Sequence, residues 1–326
     1  MPRSAPIIGL VGRLLALKRL PLLATLPTSE LTLVAERTRE RLFPKGHTLL
    51  REGEPVGAIY FVVDGRVHLN RRGRPLGHAG PGAAVGGLGV LARDSEGVEA
   101  MAEADTLVLE LDVDTMFEIF DDRFMILTHV IREVCRDLID GLSKLPAAKL
   151  PLPPDIDLSS LATSNLDLVE RIMVLRHAPV FAEASINALA GLSRAMAEVA
   201  FEPGVTLWRE GEVSGSIFLI LAGSALCTLG SGARLSLGPG FPLGSAESVG
   251  ERPRWYHAIT EKKLVALHVH KDELIDVFED NTEMAISYLA ATSRSLLTVL
   301  DRFAEGRLDR FYGCEDAGAA APPSPS

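Results

Sequence analysis

Few residues of this sequence stand at a spacing that chemistry requires. His268 and His270 lie two apart in an apolar stretch, so on a strand they share one face, a geometry that suits a metal ion. No third ligand accompanies them, and they read as strand histidines. Arg71-Arg72-Gly73-Arg74 gathers positive charge in a turn-like sequence, which suits an acidic partner or simply solvent. Cys135, Cys227 and Cys314 are too widely spaced for a zinc pattern or a disulfide framework. No Ser-His-Asp set, Cys-His set, carboxylate pair, P-loop or Rossmann fingerprint is assignable. The expectation is binding rather than catalysis, with no catalytic residue and no metal ligand.

The elements that position any such site must be drawn from 326 residues, enough for two domains. A formal charge of −10 and a pI near 5.4 give no overall attraction for phosphate backbones or anionic lipid. Arg13, Lys18 and Arg19 break the most apolar early stretch, so no run approaches the roughly 20 residues that cross a bilayer. The early segment reads as a helix rather than a signal peptide. A cytoplasmic protein that binds neither nucleic acid nor membrane is expected.

One ungapped internal repeat organises the chain. At the constant offset that carries Gly46 to Gly204, Arg51-Glu52-Gly53-Glu54 recurs as Arg209-Glu210-Gly211-Glu212 and Gly80-Pro81-Gly82 as Gly238-Pro239-Gly240. Each copy opens with helical pattern and continues in short apolar runs bounded by glycine, such as Ala58–Val63 and Ser216–Leu221. A helical tail follows, from Thr115 to Leu145 in the first copy and from Thr282 to Phe303 in the second. Prolines 146, 151, 153 and 154 cannot continue a helix. The expected division is therefore a first domain over 1–145, a Pro-rich linker over 146–156, a second domain over 157–311 and a disordered tail over 312–326.

In both copies a helix precedes a glycine-punctuated β-roll carrying Gly-x-x-Leu-x-x-Glu-Gly-Glu, at Gly46–Glu54 and Gly204–Glu212. Apolar runs ending in Gly65 and Gly223 follow, and then a helix. This arrangement resembles the cyclic-nucleotide-binding domain superfamily, and its tandem layout is similar to protein kinase A regulatory subunits and their bacterial look-alikes. The resemblance implies an α+β fold of two tandem β-jelly-roll domains, each flanked by helices. It also implies a phosphate cassette in which a short helix's N–H groups and an arginine hold a cyclic phosphate, while a glutamate accepts from the ribose.

By that resemblance the second cassette comprises Gly244, Ser245, Ala246, Glu247, Arg254 and Trp255. The arginine is kept, serine replaces the ribose glutamate, and bulky Trp255 and Tyr256 replace two small residues. Two roles stand open for Arg254: a ligand to phosphate, or a salt bridge to Glu247 or Glu251. The first cassette, Gly86, Gly87 and Leu88, is degenerate, because Glu96 stands where the arginine belongs. A carboxylate facing phosphate at about 4 Å costs roughly 4 kcal/mol.

These readings imply a non-enzymatic regulatory protein. It would sense a cyclic nucleotide such as cAMP or cGMP through the second domain and signal to a protein partner, without any bound cofactor. The alternative is a ligand-free scaffold that uses both β-rolls as docking surfaces. The last helix, with Ile286, Leu289, Leu296, Leu297, Leu300 and Phe303 near one side, would close over the ligand, pair with a second copy in a homodimer, or pack on its own β-roll. No helix-turn-helix follows the second copy, so DNA binding is not expected.

Overall fold

A computed structural model describes residues 8–94, 98–151, 165–303 and 314–315. Glu96 lies outside the described residues, as do residues 152–156 of the expected linker and most of the expected tail. The chain divides into two compact units, one ending at Ile126 and including the segment from Phe303 onward, the other running from Leu127 to Arg302. Both are α+β, in the tandem order read from the repeat.

The first unit begins with helices α1 (Gly9–Leu17) and α2 (Thr28–Arg37), followed by strands β1 (Arg39–Phe43), β2 (Thr48–Leu50), β3 (Ala58–Asp64), β4 (Val67–Arg71), β5 (Arg74–Ala79) and β6 (Ala84–Val85). Then come α3 (Gly87–Ala92), β7 (Glu99–Ala102), β8 (Thr106–Asp112) and α4 (Val113–Asp122). Helix α5 (Phe124–Leu142) crosses the boundary between the units.

The second unit continues with α6 (Leu168–His177), α7 (Ile186–Ala195), β9 (Ala197–Phe201), β10 (Thr206–Trp208), β11 (Ser216–Ala222), β12 (Ala225–Leu229), β13 (Arg234–Leu237) and β14 (Pro242–Leu243). It closes with α8 (Ser245–Val249), β15 (Tyr256–Thr260), β16 (Leu264–His270), α9 (Lys271–Asp280) and α10 (Thr282–Arg302). Residues Cys314–Glu315, in the stretch read from sequence as tail, form β17 on the edge of β5.

Each unit folds into two antiparallel sheets, in the orders β1-β8-β3-β6 and β17-β5-β4-β7-β2 in the first, β14-β11-β16-β9 and β10-β15-β12-β13 in the second. The alternating sequences of β4 and β12 bury every second residue, Val67 and Leu69 in one, Ala225 and Cys227 in the other. The glycine-bounded runs of β3 and β11 are buried almost throughout, as central strands covered on both faces should be. Both strands slip register at corresponding places, Val62/Asp64 against β8 and Ile220/Ala222 against β16. The turn after each slip explains its glycine. Gly65 has φ +97°, and a Cβ there would sit 2.6 Å from Thr106 Cα; Gly223, at φ +80°, would press a Cβ into the Lys263 carbonyl.

Helical tails follow both β-rolls, but the first is broken. Arg123, at φ −136° and ψ 75°, ends α4, and α5 starts afresh at Phe124. From Leu127 onward α5 belongs to the second unit, whereas the sequence reading ends the first domain at 145. Arg136 Nε donates to Gly250 O at 2.8 Å, and Glu251 accepts ion pairs from Arg132 at 3.4 Å and Arg136 at 3.6 Å. At the other end, Arg302 Nη1 donates to the carbonyls of Lys149 and Leu150, so the start of the proline-rich stretch is tied to α10. No described helix is long and apolar enough to cross a membrane.

Candidate functional site

The second unit's cassette is built where β14 runs into α8. Gly244 caps α8 with φ +78°, a backbone that a side chain would strain, and a Cβ there would lie 2.6 Å from Arg254 Nη1. Arg254 lies just before β15, in the segment returning from α8, and is 1 % exposed. Its Nη1 donates to Gly244 O at 2.7 Å. Its Nη2 donates to Ser216 O at 2.7 Å, Ser248 Oγ at 3.0 Å and Ser214 O at 3.2 Å. The guanidinium stacks on Trp208 at 4.2 Å from the ring centroid.

Opposite it stands Glu247, 5 % exposed, with Oε2 3.7 Å from Arg254 Nη1. Of the two roles open to Arg254, the geometry shows the ion pair, with Glu247 rather than Glu251. Glu251 instead pairs with Lys271 at 2.9 Å and with the arginines of α5. Burial pushes the Glu247 carboxyl above its usual range, while the arginine and hydrogen bonds from the Trp255 and Tyr256 side chains hold it back. Burial likewise lowers Arg254, yet a guanidinium keeps its charge in proteins.

Beside the pair opens a cavity of ≈ 380 Å³, within the size range of small-molecule pockets. Leu138, Ile139 and Leu142 of α5 wall one side, Leu229, Leu235 and Leu237 of β12 and β13 another, and Tyr288, Thr292, Ser295 and Thr298 of α10 a third. The cassette forms the floor with Gly244, Ser245, Ala246, Glu247 and Trp255. Five of the six residues expected in this cassette therefore come together at the cavity. Arg254 does not line it; it lies behind Glu247. Among the described residues Glu247 is the cavity's one charged side chain.

Ser245, at the position of the missing ribose glutamate, shares a 2.8 Å hydrogen bond with Tyr288 OH on α10. Tyr288 also lies 4.0 Å from Cys135 Sγ of α5 and packs beside Phe181 and Phe278. The cassette is thus bonded to α10 and, through Tyr288, reaches α5. Sequence reasoning missed Trp208, Tyr288 and the α5 wall. Trp208 stood inside the recognised Gly204–Glu212 stretch and was the available signal; for Tyr288 and Cys135 spacing offered none.

The first unit keeps the glycine turn. Gly86 caps α3 at φ +88°, with Gly87 and Leu88 opening the helix. Glu96 is outside the described residues. Arg71 of the basic cluster is no solvated patch: it is buried, and its Nη1 donates to Asp94 at 2.6 Å. His268 and His270 are structural. His268 Nε2 meets Ser216 Oγ at 3.1 Å with its ring against Phe218, and His270 caps α9. The apolar side of α10 that reads as a dimer seam is already covered, with Leu289, Leu296, Leu297 and Leu300 all buried.

A family profile described as the cyclic nucleotide-binding domain matches residues 40–123 and 198–281. Over 100 residues the chain is 31% identical to the cyclic AMP receptor protein of Thermus thermophilus, covering 29% of this chain and 46% of that one. Over 124 residues it is 27% identical to an uncharacterized NTE family protein of Mycobacterium tuberculosis, covering 38% of this chain and 21% of the relative. The chain thus spans less than half of these relatives' lengths. Among solved structures, the regulatory domain of Toxoplasma gondii PKA with cAMP is 17% identical, with 86% of this chain and 95% of that one covered and a TM-score of 0.33. The N-terminal domain of a Streptomyces coelicolor A3(2) transcriptional regulator is 26% identical, with 41% and 99% covered and a TM-score of 0.36.

Proposed function

Because the chain belongs to the cyclic nucleotide-binding domain family, we propose that it is a non-enzymatic regulatory protein whose second unit binds a small ligand and passes its occupancy to a protein partner through α5 and α10. One observation carries the reading: the cassette, α5 and α10 frame a single cavity, and Ser245 is hydrogen-bonded to Tyr288, so any occupant touches both helices and the loop that holds them.

The charge of the cavity bears on which ligand. A cyclic phosphate would meet Glu247, while the arginine expected to receive it is already engaged by four oxygens and that carboxylate. The resident carboxylate stands in for the ligand's anion. The cavity favours a mainly apolar molecule with a hydrogen-bond-donating head and no negative charge. A carboxylate offers about four acceptor sites, and the donors named for Glu247 are its own backbone and the Trp255 and Tyr256 side chains.

The test is a titration of the full chain, followed by tryptophan emission, with cAMP, cGMP and three molecules that share one tail: decanol, decylamine and decanoate. Saturable binding of decanol and decylamine, with increased hydrogen-exchange protection in α10, is expected; cyclic nucleotides and decanoate should bind far more weakly. Micromolar cAMP binding lost in Arg254→Ala but not in Arg254→Lys would overturn the charge argument. Saturation by none of the five would favour the scaffold reading.

A further inference from the structure

The hairpin of β4 and β5 sets His68 directly across from His78, their ring centroids 5.1 Å apart. Glu103, just beyond β7, rises beside them, with Oε2 2.8 Å from His78 Nδ1 and Oε1 3.9 Å from His68 Nδ1. One donor atom from each of the three lies within 4.8 Å of the others. Donors bound to a tetrahedral Zn²⁺ at about 2.0–2.1 Å stand about 3.3 Å apart, so small side-chain rotations close the cluster on an ion. Both Nδ1 atoms are shut off from solvent, and neither meets the carboxylate, or any other acceptor or donor, with hydrogen-bond geometry. Buried polar atoms ordinarily find a partner.

The second copy supplies an internal comparison. The counterparts of Arg66, His78 and Glu103 are Ser224, Ser236 and Glu261. There the glutamate accepts from both serines, at 2.9 Å and 2.7 Å, and Leu226 stands in place of His68. At one position of the fold, then, one copy satisfies its carboxylate with neutral hydroxyls, and the other turns on it two imidazoles whose Nδ1 atoms lack hydrogen-bond geometry.

From this we infer that His68, His78 and Glu103 form a divalent-metal site in the first unit, with a fourth position open to water. Two imidazoles and one carboxylate suit Zn²⁺, whereas Mg²⁺ and Ca²⁺ take oxygen ligands. Two charged residues adjoin the site: Arg66, whose Nε lies 3.5 Å from Glu103 Oε2 and whose side chain is 45% exposed, and Glu315 of β17, the register partner of His78. Farther along the same strands Glu99 is engaged by Asn70 at 3.2 Å.

The experiment uses the full chain stripped with EDTA and dialysed, then titrated with Zn²⁺ by calorimetry and with Co²⁺ as a visible-absorption probe. Uptake of one ion per chain at micromolar concentration is expected. His68→Leu with His78→Ser, which writes in the second copy's residues, should weaken binding by at least about ten-fold and abolish the Co²⁺ bands, with its melting in EDTA unchanged. His78→Gln alone should do the same to the bands, which keeps the test open if the double variant misfolds. Arg66→Ala should tighten binding. No Zn²⁺ uptake by the parent at 100-fold molar excess, or parental affinity in folded double variant and His78→Gln alike, would overturn the assignment.

Discussion

Replacing Arg254 by alanine should unfold the second unit more readily rather than merely weaken a ligand. The side chain supplies Gly244 O, Ser216 O, Ser214 O and Ser248 Oγ with donors and faces a carboxylate 3.7 Å away, all in the interior. Summing these bonds would overcount, because burying the guanidinium has its own cost. Removing one partner of a buried pair typically costs about 3–5 kcal/mol, and losing a desolvated cation–π contact with Trp208 removes up to about 2 kcal/mol more. A loss near 4 kcal/mol is a large part of the ~5–15 kcal/mol that holds a domain folded.

The loss should also depend on pH. Without the arginine, only the hydrogen bonds from its own backbone, Trp255 and Tyr256 oppose the burial of Glu247, so its folded carboxyl titrates still farther above the unfolded value of about 4.3. Stability then drains away as pH rises from that value towards the folded one, and the variant should fare worse at pH 8 than at pH 5. Both tryptophans, Trp208 and Trp255, lie in the second unit, so urea unfolding followed by their emission reports that unit alone. Arg254→Met with Glu247→Gln, which removes both charges, should recover about half of the loss. An Arg254→Ala variant within about 0.5 kcal/mol of the parent, or a double variant no better than the single, would refute the picture of a buried structural pair.

Three other outcomes follow from the same structure. A fragment over 127–302 should unfold cooperatively, while one over 155–326, which lacks α5, should melt lower or not cooperatively; equal melting of the two would show that α5 adds nothing to the second unit. Burial and the neighbouring Glu133 and Asp140 push the Asp137 carboxyl up to about 7, so its stabilising protonation is lost as pH rises from about 4 to 7; Asp137→Asn should raise the urea midpoint at pH 8 and leave it unchanged at pH 4. Burial pushes the thiols of Cys135 and Cys227 up to about 12, so neither should react with a thiol reagent at pH 8 until urea unfolds the chain, as mass spectrometry of labelled peptides will show.

The fold was legible because its constraints are local. A turn that needs a left-handed residue keeps its glycine in both copies, as at Gly46 with φ +83° and Gly204 with φ +84°, and strand alternation marks the core face directly. The cassette's place was legible for the same reason, since Gly244 must cap α8. What Arg254 does was not, because its partners Trp208, Ser214 and Ser216 come from β10, the loop after it and β11, distant in sequence, and spacing does not tell whether a side chain points into a cavity or behind it. The attachment of α5 was hidden in another way. Its apolar face, with Val130, Ile131, Val134 and Leu138, is equally compatible with either β-roll, and only the break at Arg123 hints that it leaves the first. His68 and His78 become neighbours once the hairpin register is known, and a bulge between Leu69 and Asn70 moves that register from a simple count.

The placement of α5 puts the sequence repeat and the architecture out of phase. The repeated stretch of sequence ends after this helix, but the body that the helix completes begins within it. From Leu127 onward, α5 therefore belongs with the β-roll of the copy that follows its own. Exchanging the order of the copies, or grafting the second onto another protein at the Pro-rich stretch, would leave the cavity without Leu138, Ile139 and Leu142. The smallest transferable piece of this protein is not one repeat but one repeat together with the last helix of the repeat before it.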